Sequence, residues 1–282
     1  KNFYGVDMSF ERTTSQILFD NGTHKCISFT SLVKGEGIQA NQFLIIDHER
    51  AAVLDPGGDL TYVPLTMELS RYTKLKNLDY VMASHQDPDI ITSMPRWLVY
   101  TDAKVVASKL WARFLPHLNS AFMSDRMKGN WEERLIELSD TGQIIPLGES
   151  SIVAVPAHFL HSVGNFQFYD PTAKILFSGD MGASMVDAHD VSQPITTKEE
   201  FLDQLPAMRG FHQRYMVSNK VCRLWANMVR SMDLAMMVPQ HGRYFVGREA
   251  IHAFLDWIEN LQCGIDLFTQ EHYRFHGQKL AV

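Results

Sequence analysis

Four apolar runs in this chain each stop at a histidine or an aspartate. VMAS leads into His85, AVPA into His158, LFSG into Asp180 and MVPQ into His241. Short apolar runs bounded by turn residues read as buried strands. In layered α/β structures, side chains at strand C-terminal ends stand on rigid backbone and project into a shared crevice. A single histidine after a strand is most often an ordinary hydrogen-bonded residue. Four such strand ends in one chain point to a common site.

The first of these loops reads His85-Gln86-Asp87-Pro88-Asp89-Ile90. By itself Asp-Pro-Asp is an ordinary turn. Beside the other three loops it brings two carboxylates to a metal-ligand set. His85, Asp87 and His158 can face one metal, and Asp89 and His241 a second. Asp180 has two oxygens and can bridge them. Three histidines and three aspartates give a mixed nitrogen and oxygen shell without thiolate. Zinc tolerates such a shell, and its carboxylate content also suits iron or manganese. Ile90 cannot ligate.

The rest of the chain supports a layered fold. Strand-like runs come first (SQILF, KCISFTSLV, NQFLIID, AAVLD), separated by DNGTH, KGEG and DHER. LTYVPLTMELSRY and MPRWLVY then carry helical patterns around the strand LDYVMAS, and AKVVAS is a further strand. A long helix is expected over HQRYMVSNKVCRLWANMVRSM, and REAIHAFLDWIENLQ closes the pattern as an amphipathic helix. Strands lead and later alternate with helices. The simplest architecture is an α/β (α+β) fold of two mixed sheets covered by helices, with residues 1–282 as a single domain.

Composition excludes several classes of function. The formal charge of −6 argues against a nucleic-acid footprint. No apolar run approaches the roughly 18 residues of a membrane span. Cys26, Cys222 and Cys263 are far apart in sequence and have no paired spacing, as expected of reduced cytoplasmic thiols.

At the four loops the sequence resembles the metallo-β-lactamase superfamily, whose first motif is His-x-His-x-Asp-His. The flavodiiron branch replaces the second histidine by glutamate. Here the motif reads His85-x-Asp87-x-Asp89-Ile90, with a shorter carboxylate at that position. AHFLHSVGNFQFYD, LFSGDMG and RYMVSNKVCRLWANMVRSMDLAMMVPQHG are similar to the later flavodiiron segments. The resemblance runs from about Phe29 to Ile258. It implies a four-layer αββα sandwich with a dinuclear site at one edge of the two sheets, two iron ions as cofactor, and manganese or zinc as alternatives.

The departures from the pattern are as informative. Ile90 stands where the second metal would take a histidine, which leaves open positions at that metal and puts an apolar wall beside them. No flavin-phosphate loop is visible, so no flavin is expected in this chain. The combination is similar to oxygen-binding di-iron proteins of bacterial sensing systems. That likeness implies dioxygen or another small diatomic as ligand, a signalling or electron-transfer protein as partner, and a homodimer by analogy. His161 is expected to support the site through a hydrogen bond rather than ligate. Asp187 and His189 are expected in a loop near the entrance, and Tyr244 in the core or a pocket wall. The alternatives are an oxidoreductase that reduces dioxygen or nitric oxide with a separate donor, and a dinuclear zinc hydrolase, for which Arg243 is the one cation near the site.

Overall fold

In the third strand, Gln42–Asp47, alternate side chains enter different cores. Phe43 and Ile45 point between two sheets, while Leu44 and Ile46 point outward under helices. Every residue of the strand is buried. Successive strand residues face opposite sides, so such a run requires cover on both faces, and the fold supplies it. The computed structural model describes residues 14–33 and 37–277.

The first sheet runs in chain order: β1 (Ser15–Asp20), β2 (His24–Phe29), β3 (Gln42–Asp47), β4 (Arg50–Leu54), β5 (Leu78–Met82), β6 (Lys104–Ser108) and β7 (Leu135–Leu138). It is antiparallel to β4 and parallel from there on. The second comprises β8 (Gln143–Leu147), β9 (Ser150–Pro156), β10 (Phe166–Asp170), β11 (Ile175–Phe177), β12 (Met236–Val238) and β13 (Phe245–Val246), in the order β13-β12-β11-β10-β9-β8. Only β11 and β12 pair in parallel there. Between the sheets Phe43 meets Phe177 with ring centroids 4.8 Å apart, beside Ile152, Phe166 and Phe168. Truncating either phenylalanine of that pair to alanine is expected to cost about 3–5 kcal/mol.

Helices cover the outer faces. On the first sheet lie α1 (Asp59–Leu69), α2 (Pro88–Ile91) and α3 (Met94–Tyr100), with Tyr62, Leu65 and Trp97 buried beneath them. The short α4 (Lys109–Ala112), α5 (Ala121–Ser124) and α6 (Trp131–Arg134) follow. On the second sheet lie α7 (Lys198–Tyr215), α8 (Asn219–Arg230) and α9 (Arg248–Ile258), packed on Leu176 and Met237. The result is the expected αββα sandwich. Among the described residues no helix is long and apolar enough to cross a membrane.

Two local expectations change, and one further strand appears. The long helix expected from His212 is two helices, because α7 begins at Lys198 and ends at Tyr215, and α8 starts at Asn219. The break is held by backbone bonds: Val217 N–H donates to Phe159 O and Val217 O accepts from Ile265 N–H. FQFYD forms β10, although its sequence read only as part of a loop. QIIPL forms β8, an edge strand with a proline at its exposed face.

At the rim opposite the metal-ligand loops a buried polar cluster joins the sheets. His24 Nδ1 lies 2.9 Å from Asp47 Oδ1, and His24 Nε2 lies 2.6 Å from Asp170 Oδ2. Cys26 donates to the same Asp170 oxygen at 3.1 Å. Burial alone would depress the His24 imidazole, but the two carboxylates outweigh it and raise its pKa. Both aspartates are correspondingly held below the usual carboxylate range, against the effect of burial.

Candidate metal centre

The C-terminal ends of β5, β9, β11 and β12 meet at one rim, and their loops are stitched to one another. Phe166 N–H donates to Ser84 O, Gln240 N–H to Gly179 O and Asn41 N–H to Gln240 O. Gly242 passes so close to Ser184 that a Cβ there would fall 2.0 Å from its Oγ, and its φ is +79°. Only glycine fits that approach.

Asp180 lies at the centre of the rim, and its two oxygens face different partners. Oδ2 is 3.4 Å from His85 Nε2 and 2.9 Å from His161 Nε2. Oδ1 is 3.6 Å from His241 Nε2. Asp87 Oδ2 closes the first group, at 3.6 Å from His85 Nε2 and 3.2 Å from His161 Nε2. Asp89 Oδ2 closes the second, 3.6 Å from His241 Nε2. Two donors bound to one ion at about 2.1 Å stand roughly 3.0–3.4 Å apart, so these spacings fit two ion positions sharing Asp180.

The other ring nitrogens of His85 and His241 are committed in the manner of ligating histidines. His241 Nδ1 donates to Gln39 O at 2.7 Å. His85 Nδ1 lies 3.0 Å from Ser84 Oγ, which also receives the Gln240 amide at 2.8 Å. Asp55, wholly buried, accepts the Ser84 N–H at 2.8 Å and the Gln240 amide. This chain fixes the His85 ring from behind.

The electrostatics match the geometry. Burial would depress the His161 imidazole, but Asp180 and Asp87 raise it to about 10. His85 is raised likewise against its burial, chiefly by Asp180. Asp87 is pulled well below the usual carboxylate range by His161 and His85. Asp180 is also lowered, despite burial, by His85, His161 and His241. Buried carboxylates here demand positive charge. The raised imidazoles of His85 and His161 answer that demand, and divalent ions would displace their protons.

Two expectations from the sequence are corrected. His158 is not in the cluster. Its Nε2 donates to Asp140 O at 2.7 Å, and its ring packs edge-on against Phe166. Phe159, at φ +66°, reverses the chain just past the strand. Asn165 then holds Leu160 O and Ser162 N–H, and the returning limb carries His161 into the site. The strand end thus aims the loop, and the turn selects the histidine three residues on. Ile90 also stands elsewhere than expected. It is fully buried, and its carbonyl accepts Gly57 N–H. Consecutive residues of a helical turn point about 100° apart, so α2 presents Asp89 to the site and turns Ile90 inward.

The apolar wall comes from residues the sequence did not single out. A cavity of about 410 Å³ opens on Asp87, Asp89, His161, Asp180 and His241, and its other walls include Ile38, Ala183, Met185, Phe211 and Tyr215 beside Ser184. Phe211 and Tyr215 stack on each other, and Tyr215 meets the His161 ring at 5.6 Å. Their i, i+4 spacing on α7 was readable as a helix face, but nothing in sequence aimed that face at the site. Asp187 lines a neighbouring cavity of about 650 Å³, while His189 is exposed and pairs with Asp190. Tyr244 belongs to the inter-sheet core and accepts from Gln16. Arg243 spends its guanidinium on the carbonyls of Gln193 and Pro194.

Comparison with known proteins identifies the family and the fold. Residues 38–242 match the model of the ODP family beta lactamase. A solved structure of the peroxy di-iron species of a chemotaxis sensor, ODP, is 34% identical with a TM-score of 0.77, over 92% of this chain and 99% of that one. The apo state of the chemotaxis sensor ODP from T. denticola is 36% identical at the same TM-score, over 92% and 98% of the two chains. A flavo di-iron protein from Thermotoga maritima shares the fold at 17% identity and a TM-score of 0.68, over 86% of this chain and 60% of that one. An uncharacterized protein, MJ0732, from Methanocaldococcus jannaschii is 21% identical over 233 residues, 79% of this chain. The chain spans 54% of the length of that curated relative.

Proposed function

This chain belongs to the ODP beta-lactamase family, and on that footing we propose that it is a non-haem di-iron protein that binds dioxygen and reports the bound state to a signalling partner. The relative captured as a peroxy di-iron species of a chemotaxis sensor supports both halves of the reading. The observation in this chain that carries it is the division of Asp180, with one oxygen toward His85 and His161 and the other toward His241, at the floor of a half-apolar cavity. In this reading residues 1–282 act as one domain in the cytoplasm.

His85, Asp87 and His161 would hold one iron with Asp180 Oδ2. Asp89 and His241 would hold the other with Asp180 Oδ1. The second ion would have fewer protein donors, and these residues would leave it room for an external ligand. A pair of ferrous ions supplies the two electrons that dioxygen needs in order to bind tightly.

The protein's own residues set selectivity. Phe211, Met185, Ala183 and Ile38 present apolar surface to the cavity. Entry of a solvated anion there strips polar groups of water without replacement and costs roughly 1–3 kcal/mol or more for each. A neutral diatomic pays no such cost. Ser84, Asp55 and Gln240 keep the His85 ring in one orientation. The engagement of Arg243 with backbone carbonyls removes the cation that a hydrolase would use on an anionic substrate.

The reading is tested by loading the chain with ferrous iron under anaerobic conditions and following dioxygen consumption. Uptake of about one dioxygen per two irons, followed by a plateau even with an added reductase and reductant, supports a binding protein. Sustained consumption over many turnovers makes it a reductase instead.

A further inference from the structure

We propose that Cys222 and Cys263 form a redox-active dithiol that closes to a disulfide on reaction with hydrogen peroxide. The two are 41 residues apart in sequence, yet their sulfurs lie 3.9 Å from each other. Both are free thiols and fully buried.

The surrounding backbone is built to hold them in contact. Cys222 lies in the first turns of α8, and Cys263 precedes a short helical turn over Gly264–Leu267. Asn219 ties the two segments with its amide to Glu259 O and Leu261 O, each at 2.8 Å. Asp266 accepts both Asn219 N–H at 2.6 Å and Cys263 N–H at 3.2 Å. Gly264, at φ +53°, lies so close to the α7–α8 junction that a Cβ would fall 2.2 Å from the carbonyls of Met216 and Val217. The sulfurs therefore need side-chain rotation rather than backbone travel to approach the roughly 2.05 Å of a disulfide.

The pair also divides the chemistry. Contact with Cys222 lowers the Cys263 thiol below its ordinary range, while the same contact and burial raise Cys222. The two sulfurs are equivalent in the balance, and Cys263 is taken as the attacking one. Its thiolate takes one oxygen of hydrogen peroxide, giving a sulfenic acid and releasing hydroxide. The Cys222 sulfur then attacks that sulfenic sulfur, the S–O bond breaks, and each of the two hydroxides released takes one thiol proton to become water. The sum is two thiols and one hydrogen peroxide to one disulfide and two waters. Closure acts on a segment that reaches the metal loop, since Ile265 N–H bonds Val217 O and Val217 N–H bonds Phe159 O. Cys26 is the internal control, because its thiol donates to Asp170 and among the described residues no second sulfur bonds it.

The test uses the full chain purified under anaerobic conditions, with hydrogen peroxide added from outside, so its outcome is independent of what the metal centre binds. After quenching, unfolding and alkylation, mass spectrometry is expected to find a Cys222–Cys263 linked peptide pair two hydrogens lighter, with Cys26 alkylated. Glutathione disulfide, too bulky for a buried pair, is expected to leave all three thiols free. Cys222→Ser, or Cys222→Ala if the serine variant does not fold, should stop Cys263 at a sulfenic acid trapped by a cyclic dione. Peroxide treatment that leaves both thiols alkylable, or that carries one to sulfinic acid without a linked peptide, overturns the proposal.

Discussion

His161 Nε2 stands 2.9 Å from Asp180 Oδ2, on the same oxygen that faces His85. His158, three residues earlier, points to the carbonyl of Asp140 instead. Which of the two reaches the carboxylate cluster is decided by the turn between them. His161→Ala is therefore expected to remove the first ion, lowering bound metal from about two to one or fewer per chain. His158→Ala should keep full metal content and lose about 0.5–1.5 kcal/mol of stability, the worth of one hydrogen bond. Elemental analysis beside urea unfolding separates them, and equal metal content in both variants contradicts the assignment.

Among the described residues, Asp180 is the one whose two oxygens address both groups. Asp180→Ala is expected to abolish dinuclear loading, and Asp180→Asn to retain one ion at most, since an amide offers a single neutral acceptor oxygen. Metal-to-protein ratios after dialysis check this. Two tightly held ions in the alanine variant would remove Asp180 from the bridge.

Ser84 touches no proposed ion position, yet its hydroxyl meets both His85 Nδ1 and the Gln240 amide. Loss of such a supporting contact typically weakens a metal site about 10- to 100-fold. Ser84→Ala should lower ferrous affinity by that factor with little change in the fold, as read by competition with a chelator. Unchanged affinity would mean that the His85 ring is held by packing alone.

The cluster at the opposite rim predicts a pH window. His24 is raised above its ordinary value, so its contribution is complete below about pH 6.5 and fades as pH rises through the raised folded value. Asp47 and Asp170 are lowered, so theirs is complete above about pH 4 and is lost as pH falls through the lowered folded values. His24→Gln leaves buried carboxylates unpaired and is expected to cost about 3–5 kcal/mol, most fully between about pH 4 and 6.5. Unfolding of both proteins across pH 3–9 measures the difference. A difference that does not vary with pH would show that His24 is not charged in the fold.

Much of this architecture was legible in sequence. The strand ends that deliver His85, Asp180 and His241 were readable because an apolar run and its polar terminus are local features. Two mixed sheets covered by helices followed from the order of strands and helices, and the αββα layering was what the family resemblance implied. What was not legible depended on distant partners. The turn through Phe159 and Asn165 replaced His158 by His161. The pairing of Val217 with Phe159 and Ile265 split one expected helix into α7 and α8. Cys222 and Cys263 carry no paired spacing and meet only because α8 packs against the segment after α9. The inward turn of Ile90 came from α2, whose four residues are too few to show a period.

The central claim is that this rim holds two irons that bind dioxygen. It is tested most directly by loading the chain anaerobically with ferrous iron, counting the metal, and recording the absorption spectrum before and after exposure to air. The account predicts two irons per chain and a visible charge-transfer band that appears on exposure and then persists. A chain that retains only zinc, or that binds iron without a visible change in air, contradicts it.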